Sequence, residues 1–434
     1  MTETKSRSSL TVKILTIGLL IIVLLIPTFM VQSLIREREM RRDETVKEID
    51  SSWGSEQQLI GPILTIPYIV HFKNSEGELV EYQNRLHLLP DHLDISCVLK
   101  PEMRYRGIYE TVLYNADLSV SGIFPNFALT DHHIKNEDVQ WNDITLSVGI
   151  SDMKGIQDLI AVQWDGHEYG INPGVPDEDN ITSGVSVDVP FDLKQDSHAF
   201  QFNLDLNGSS KFEIAPLGKT TTLSVESDWG NPSFTGAFLP DTRSIGDHHF
   251  EADWKVLHLN RNYPQSWIGP QKNIRESAFG VELKMAVDQY QKTMRTSKYA
   301  IMFISLTFLC FFMIELLSDS FVHAIQYLLV GFALVLFYSL LLAISEHLHF
   351  TYAYLMASVG MIALISLYTK SFLRQNKLAG LIMVLLILLY SYLFIVLQLQ
   401  DYALLLGNLG LFVALALVMY LTRKIDWSTA FKSK

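Results

Sequence analysis

Between Tyr299 and Thr422 five long apolar runs follow one another, separated by short polar breaks. The runs are Tyr299–Leu317, Val322–Ile344, Tyr352–Thr369, Leu378–Leu397 and Ala403–Thr422. The breaks are Ser318–Ser320, Ser345–Thr351, Lys370–Lys377 and Gln398–Asp401. A helix rises 1.5 Å per residue and a bilayer's hydrocarbon layer is about 30 Å thick, so about 20 apolar residues suffice to cross it. Soluble cores do not place five such runs back to back, and the pattern predicts a membrane bundle. A sixth run, Ile14–Ile35, contains Pro27 and follows Lys5, Arg7 and Lys13. It is longer than a signal-peptide core, and Phe29–Ile35 offers no small-x-small cleavage site, which predicts an uncleaved first span.

Other stretches have other periods. Arg36–Ser52 contains neither Gly nor Pro, pairs Glu37 with Arg41 at i,i+4, and has a thin apolar edge of Met40, Ile49 and Trp53. It predicts a solvated helical stalk. From about Gly61 to Val287 the period shortens to two. Ile63–Val70, Ile144–Val148, Phe200–Leu206 and Thr221–Val225 alternate or are rich in β-branched residues, and Asn172-Pro173-Gly174, Asn207-Gly208 and Asn231-Pro232 punctuate them. About a dozen short strands are expected, in an antiparallel, sandwich-like domain, with Pro173–Gly184 as a boundary if there are two lobes.

Charge sets the threading. Lys370, Arg374 and Lys377 fill one break, and Arg423 and Lys424 close the last run, whereas Ser345–Thr351 and Gln398–Asp401 hold no Lys or Arg. By the positive-inside rule the basic breaks and both termini lie in the cytoplasm. The cluster Arg36, Arg38, Arg41 and Arg42 votes the other way. It is interleaved with Glu37, Glu39 and Asp43, and long following domains translocate largely regardless of charge. Residues 1–35 carry three basic and one acidic side chain, and residues 296–434 carry eight and five, so of the net −12 the part between holds −17. Such an acidic domain repels nucleic acid. The two cysteines, Cys97 in the β-rich region and Cys310 mid-span, cannot pair, so the outer domain depends on its own core.

Ionisable groups in or beside spans are the leading functional candidates, because charge in a bilayer is costly. Glu315 near one helix end, with His323 and Gln326 just past the Ser318–Ser320 turn, would meet in a hairpin as a proton-handling site or as a lock between helices. Glu346, His347 and His349 are candidate zinc ligands, against which stands the angle of about 100° between adjacent helical residues. Asp131-His132-His133 and Asp247-His248-His249 read as solvated loops before they read as a shared metal site. Ser151-Asp152-Met153-Lys154 has the S-x-x-K spacing of penicillin-recognising enzymes, but neither S-D-N nor K-T-G follows it. Gly218-Lys219-Thr220 lacks the first glycine of a phosphate loop, and no H-E-x-x-H is present. Neither a catalytic nor a cofactor-binding set is expected, and no metal beyond those weak candidates.

Several stretches together resemble the CreD family of bacterial inner-membrane proteins. They are Gly61–Tyr68, Arg106–Glu110, Pro232-Ser233-Phe234, Phe238-Leu239-Pro240, Lys298–Ile301, Gln326–Gly331, Ser345-Glu346-His347, Asp401–Leu405 and Thr422–Trp427. They run in order from the first span to the C-terminal tail. Departures are small: Ala324 after His323, and Ala286 where the family usually has Pro. The resemblance implies a Gram-negative inner-membrane protein linked to envelope integrity and stress response, with no catalytic residues to carry over.

The expectation is therefore an α-helical membrane bundle of six transmembrane helices plus a large β-rich, antiparallel sandwich-like periplasmic domain. Its divisions are 1–35, the cytoplasmic N-terminus and first span; 36–60, the stalk; 61–298, the periplasmic domain; 299–422, the five-helix bundle; and 423–434, the cytoplasmic tail. The expected role is non-catalytic scaffolding or sensing in the envelope, with lipid and unidentified envelope proteins as partners. The alternative is a transporter- or channel-like component using Glu315, His323 and Glu346.

Overall fold

The computed structural model describes residues 10–73, 78–127, 129–176, 181–269, 274–285, 289–317, 321–373, 375–399 and 403–423. The expected Ser318–Ser320 turn, Arg374 and the tail beyond Arg423 lie outside the described residues. The chain divides into two compact units, one of Met1–Arg42 with Val287–Lys434 and one of Asp43–Ala286.

Helix α1 (Leu10–Trp53) has 44 residues. At 1.5 Å per residue it is about 66 Å long, roughly twice the hydrocarbon thickness, so its charged second half stands in water. There Arg41 bonds Glu37 at 2.7 Å, the expected i,i+4 pair. Gly54 stops the helix: its N–H donates to Asp50 O at 2.8 Å while φ turns to +152°, and a Cβ there would lie 2.5 Å from Asn207 O.

The first unit also holds α2 (Gln289–Lys298), α3 (Ala300–Leu317), α4 (Ala324–Ser345), α5 (Phe350–Phe372), α6 (Asn376–Gln398) and α7 (Ala403–Thr422). Among the described residues four helices, α1, α4, α5 and α6, are long and apolar enough to cross a bilayer; α2 and α3, bent by 41° at Tyr299, make a fifth if counted as one span. Phe303, Phe308, Tyr327, Leu334, Phe337, Tyr354, Leu386 and Tyr390 fill the interior, whereas Leu336, Val359 and Leu388 lie more than half exposed on outer faces. A helix set that is apolar inside and outside is built for lipid. Leu24 of α1 is fully buried in this cluster. It sits against Gly331 of α4, where a Cβ would come within 2.1 Å of its Cδ1.

The second unit holds seventeen strands among its described residues. They begin with β1 (Gln57–Lys73), β2 (Leu79–Leu88), β3 (His92–Arg106), β4 (Tyr109–Pro125), β5 (Thr145–Ile150) and β6 (Ala161–Trp164). Next come β7 (His167–Gly170), β8 (Asn172–Pro173), β9 (Gly184–Asp188), β10 (Ser197–Ser209), β11 (Lys211–Ile214) and β12 (Thr220–Ser227). The last are β13 (Pro232–Gly236), β14 (Thr242–Ile245), β15 (Phe250–Leu257), β16 (Ser266–Ile268) and β17 (Phe279–Leu283). A nine-stranded sheet runs β13-β17-β11-β1-β5-β9-β8, with β2 also on β1 and β16 on β2. An eight-stranded sheet runs β14-β15-β12-β3-β4-β10-β6-β7.

Alternation survives where one face meets water. β15 buries every second residue, Phe250, Ala252, Trp254 and Val256, and β10 does the same from His198 to Leu204. One cluster takes residues from both sheets, including Leu64, Leu118, Trp164, Phe212, Val225, Trp254 and Phe279. Most pairings are antiparallel as expected, but β1 with β11 and β3 with β12 run parallel, so both sheets are mixed. Pro173–Gly184 is not a lobe boundary. It links β8 to β9, which pair in the same sheet at Asn172↔Ser186 and Pro173↔Val185. Cys97 is a free, buried core residue whose thiol burial pushes up.

Candidate functional site

The four candidate bundle residues do not form one site. His323 and Gln326 open α4 and Glu346 follows its last residue, about 30 Å apart along the helix. Each end has its own chemistry.

At the Glu346 end the carboxylate is 11% exposed. Its Oε1 accepts a hydrogen bond from Tyr290 Oη at 3.2 Å, and Arg38 Nε lies 3.8 Å away. The Arg42 guanidinium covers the Tyr290 ring at 5.3 Å. Glu346 therefore fastens α1 and α2 to the end of α4. His349 caps α5 instead, its Nδ1 accepting from the Thr351 N–H at 3.4 Å, and the His347 N–H continues the last turn to Ile344 O at 3.1 Å. Among the described residues no three His, Cys, Asp or Glu side chains gather as metal ligands; Glu346 is held by Tyr290 and Arg38, and His349 caps α5.

At the opposite end the hairpin reading gave Glu315 to His323. The structure gives it to Lys13 of α1, whose ammonium donates to Glu315 Oε1 and lies 4.2 Å from the Phe321 ring centre. Both side chains are largely buried, at 14% and 13% exposure. A carboxylate in a low-dielectric setting is costly without an opposite charge beside it, and Lys13, near the start of α1, supplies one. His323 is exposed; its backbone N–H donates to Gln326 Oε1 at 2.8 Å, closing the first turn of α4.

In the β-unit the S-x-x-K pair is taken apart. Ser151 Oγ donates to Glu56 O at 2.9 Å, and Lys154 Nζ donates to Ser51 O at 3.3 Å. Asp152 between them caps a short turn. Burial opposes its ionisation, but the N–H groups of Ser55 and Lys154 hold its carboxyl below the usual range. His132 Nε2 meets Ser266 Oγ at 3.0 Å, while exposed His249 bonds Glu251 and Asp228, which raise its pKa. The two Asp-His-His motifs thus serve different neighbours.

Two features carried no local motif. His198, 1% exposed, sets Nδ1 2.6 Å from Asp165 Oδ2 and Nε2 3.2 Å from Asp192 O, and stacks on Trp164 at 5.4 Å. Its alternation in β10 marked it as buried, but its partners come from two other loops. The second is a groove of about 520 Å³ on the eight-stranded sheet, lined by Asp94, Ser96, Ser121, Thr222, Asp253 and Lys255.

Apolar helices facing outward around an aromatic interior, together with a β-unit that has its own core, define an integral membrane protein with an aqueous domain. The chain belongs to the CreD family: residues 9–428 match the family described as Inner membrane protein CreD. It is similar to the Inner membrane protein CreD of Escherichia coli (strain K12), with 34% identity over 409 residues, covering 93% of this chain and 90% of the relative.

Proposed function

We propose that the protein is a six-span, non-catalytic support of the cell envelope, a scaffold or sensor whose β-unit faces the periplasm. In this reading α1, the bent α2–α3 pair, α4, α5, α6 and α7 are the spans, and both termini are cytoplasmic. The carrying observation is the alternation of basic and non-basic loops joined to a β-unit with one core of its own. Two sheets closing on that core support the sandwich description. Buried carboxylates held by Lys13 at one end and by Tyr290 and Arg38 at the other favour a locked bundle over a moving one. Lipid and unidentified envelope proteins are the partners; the acidic β-unit disfavours nucleic acid.

The transporter alternative requires Glu315, His323 and Glu346 to handle solute or protons directly. Alanine at all three positions, in cells lacking the native copy, separates the readings through envelope-stress survival scored against protein abundance. A scaffold loses function only as abundance falls. Loss of function at normal abundance would overturn the scaffold reading.

A further inference from the structure

The interior of the helix bundle is not uniformly apolar. Thr307 Oγ1 on α3, Tyr338 Oη on α4 and Tyr390 Oη on α6 are buried with no hydrogen-bond partner among the described residues. Their residues are 0%, 1% and 2% exposed. The three belong together. Phe337 packs on Tyr338 at 5.1 Å, on Tyr390 at 4.7 Å and on Tyr354 at 5.5 Å between ring centres, and Tyr354 Oη donates to Tyr390 O at 2.7 Å. Phe303 packs on Tyr390 at 5.2 Å, and Thr307 lies one turn further along the same face of α3. Counted along their helices, all three lie about 10–12 Å from the ends nearer Glu346.

The backbone supplies a second, independent observation. The α2–α3 break, at 41°, falls two turns from Thr307, and α2 buries Thr293, Thr296 and Ser297 completely or nearly so. Bent helices and buried hydroxyls at membrane depth persist where neighbours or ordered molecules satisfy the freed polar groups. Three O–H groups left over around one aromatic cluster, two turns from a helix break, need a partner that the described side chains do not provide. No charged side chain belongs to the set, so the group that fills it is uncharged.

We propose that Thr307, Tyr338 and Tyr390 line an internal site that takes a small, uncharged, hydrogen-bonding molecule, with water as the resident occupant. The site goes beyond the envelope role proposed above and does not depend on it. It gives the bundle a polar chamber two turns from the α2–α3 break, in the half of the bundle away from the Lys13–Glu315 pair.

The test uses the full chain in lipid vesicles with Cys97 and Cys310 replaced by Ser. Single cysteines are placed by Thr307→Cys and Tyr338→Cys, with Leu336→Cys, on the exposed face of α4, as the lipid-facing control. Methyl methanethiosulfonate, small and uncharged like the proposed occupant, reacts with ionised thiol, which forms only where water reaches. Labelling of Thr307→Cys or Tyr338→Cys at least tenfold faster than Leu336→Cys is the expected result; rates no faster than the control overturn the proposal. Tyr338→Phe and Tyr390→Phe supply an arm free of cysteine. An occupied site leaves the thermal midpoint in detergent unchanged or lowered when a hydroxyl is removed, and a raised midpoint in both variants overturns the proposal.

Discussion

Replacing Asp50 by Asn isolates one carboxyl whose ionisation works against the β-unit. Asp50 lies near the end of α1, in the part that stands outside the hydrocarbon layer. Burial pushes its pKa up to about 6, Glu56 adds to the rise, and the Thr111 hydroxyl, donating to Oδ1 at 3.3 Å, opposes it. The unfolded chain ionises this carboxyl at 3.8, the ordinary value. A gap of about two units corresponds to roughly 3 kcal/mol at full strength, and partial exposure to water reduces that to about 1–1.5 kcal/mol. The sign follows from linkage. A raised folded pKa means the contribution is fully present below 3.8 and is lost as pH rises through about 6. Asp50→Asn keeps an acceptor for Thr111 and removes the charge. The variant should equal the wild type near pH 3.5 and exceed it by about 1–1.5 kcal/mol at pH 7.5. Urea unfolding of the full chain in detergent, followed by tryptophan fluorescence, reads the β-unit, because six of the seven tryptophans lie within Asp43–Ala286. A difference that does not change between pH 3.5 and 7.5, or a variant less stable at pH 7.5, would refute the reasoning.

Other substitutions probe separate joints. Gly54→Ala forces a side chain into a backbone at φ +152° and 2.5 Å from Asn207 O, and should cost about 2–4 kcal/mol in the same urea assay. Gly331→Leu should push α1 off α4, lowering the thermal midpoint in detergent and the crosslinking yield between cysteines on those helices. Lys13→Ala or Glu315→Ala alone should each destabilise by about 2–4 kcal/mol, whereas Lys13→Met with Glu315→Leu should recover much of that; additive losses in the double-mutant cycle would exclude the pair. Asp165→Ala removes the carboxylate facing buried His198 and should cost about 2–3 kcal/mol by urea unfolding.

The helices were legible because lipid leaves a direct imprint: runs of about 20 apolar residues have few other uses. The helical course of Arg36–Ser52 was equally clear, since nothing in it interrupts the hydrogen-bond ladder. Strands with one wet face, such as β10 and β12, announced themselves by alternation. β1 did not. It pairs with β2, β5 and β11 and is buried almost continuously from Leu59 to Tyr68, so its pattern states burial without stating neighbours. The parallel pairings β1–β11 and β3–β12 join segments more than a hundred residues apart, which no local period records. The same holds for Glu315. Its cost in an apolar setting was visible in the sequence, but its partner, Lys13, lies 302 positions away. The break at Tyr299 also left no mark, because neither Gly nor Pro announces it.

The central claim is that the β-unit stands on the far side of the cytoplasmic membrane from the two termini. Protease added to intact spheroplasts, compared with protease added to sealed inside-out vesicles, tests it directly with antibodies to residues 61–287 and to a C-terminal tag. The account predicts that spheroplast digestion destroys the 61–287 signal and spares the tag, and that inside-out vesicles show the reverse. A 61–287 signal that survives in spheroplasts and disappears in inside-out vesicles would contradict it.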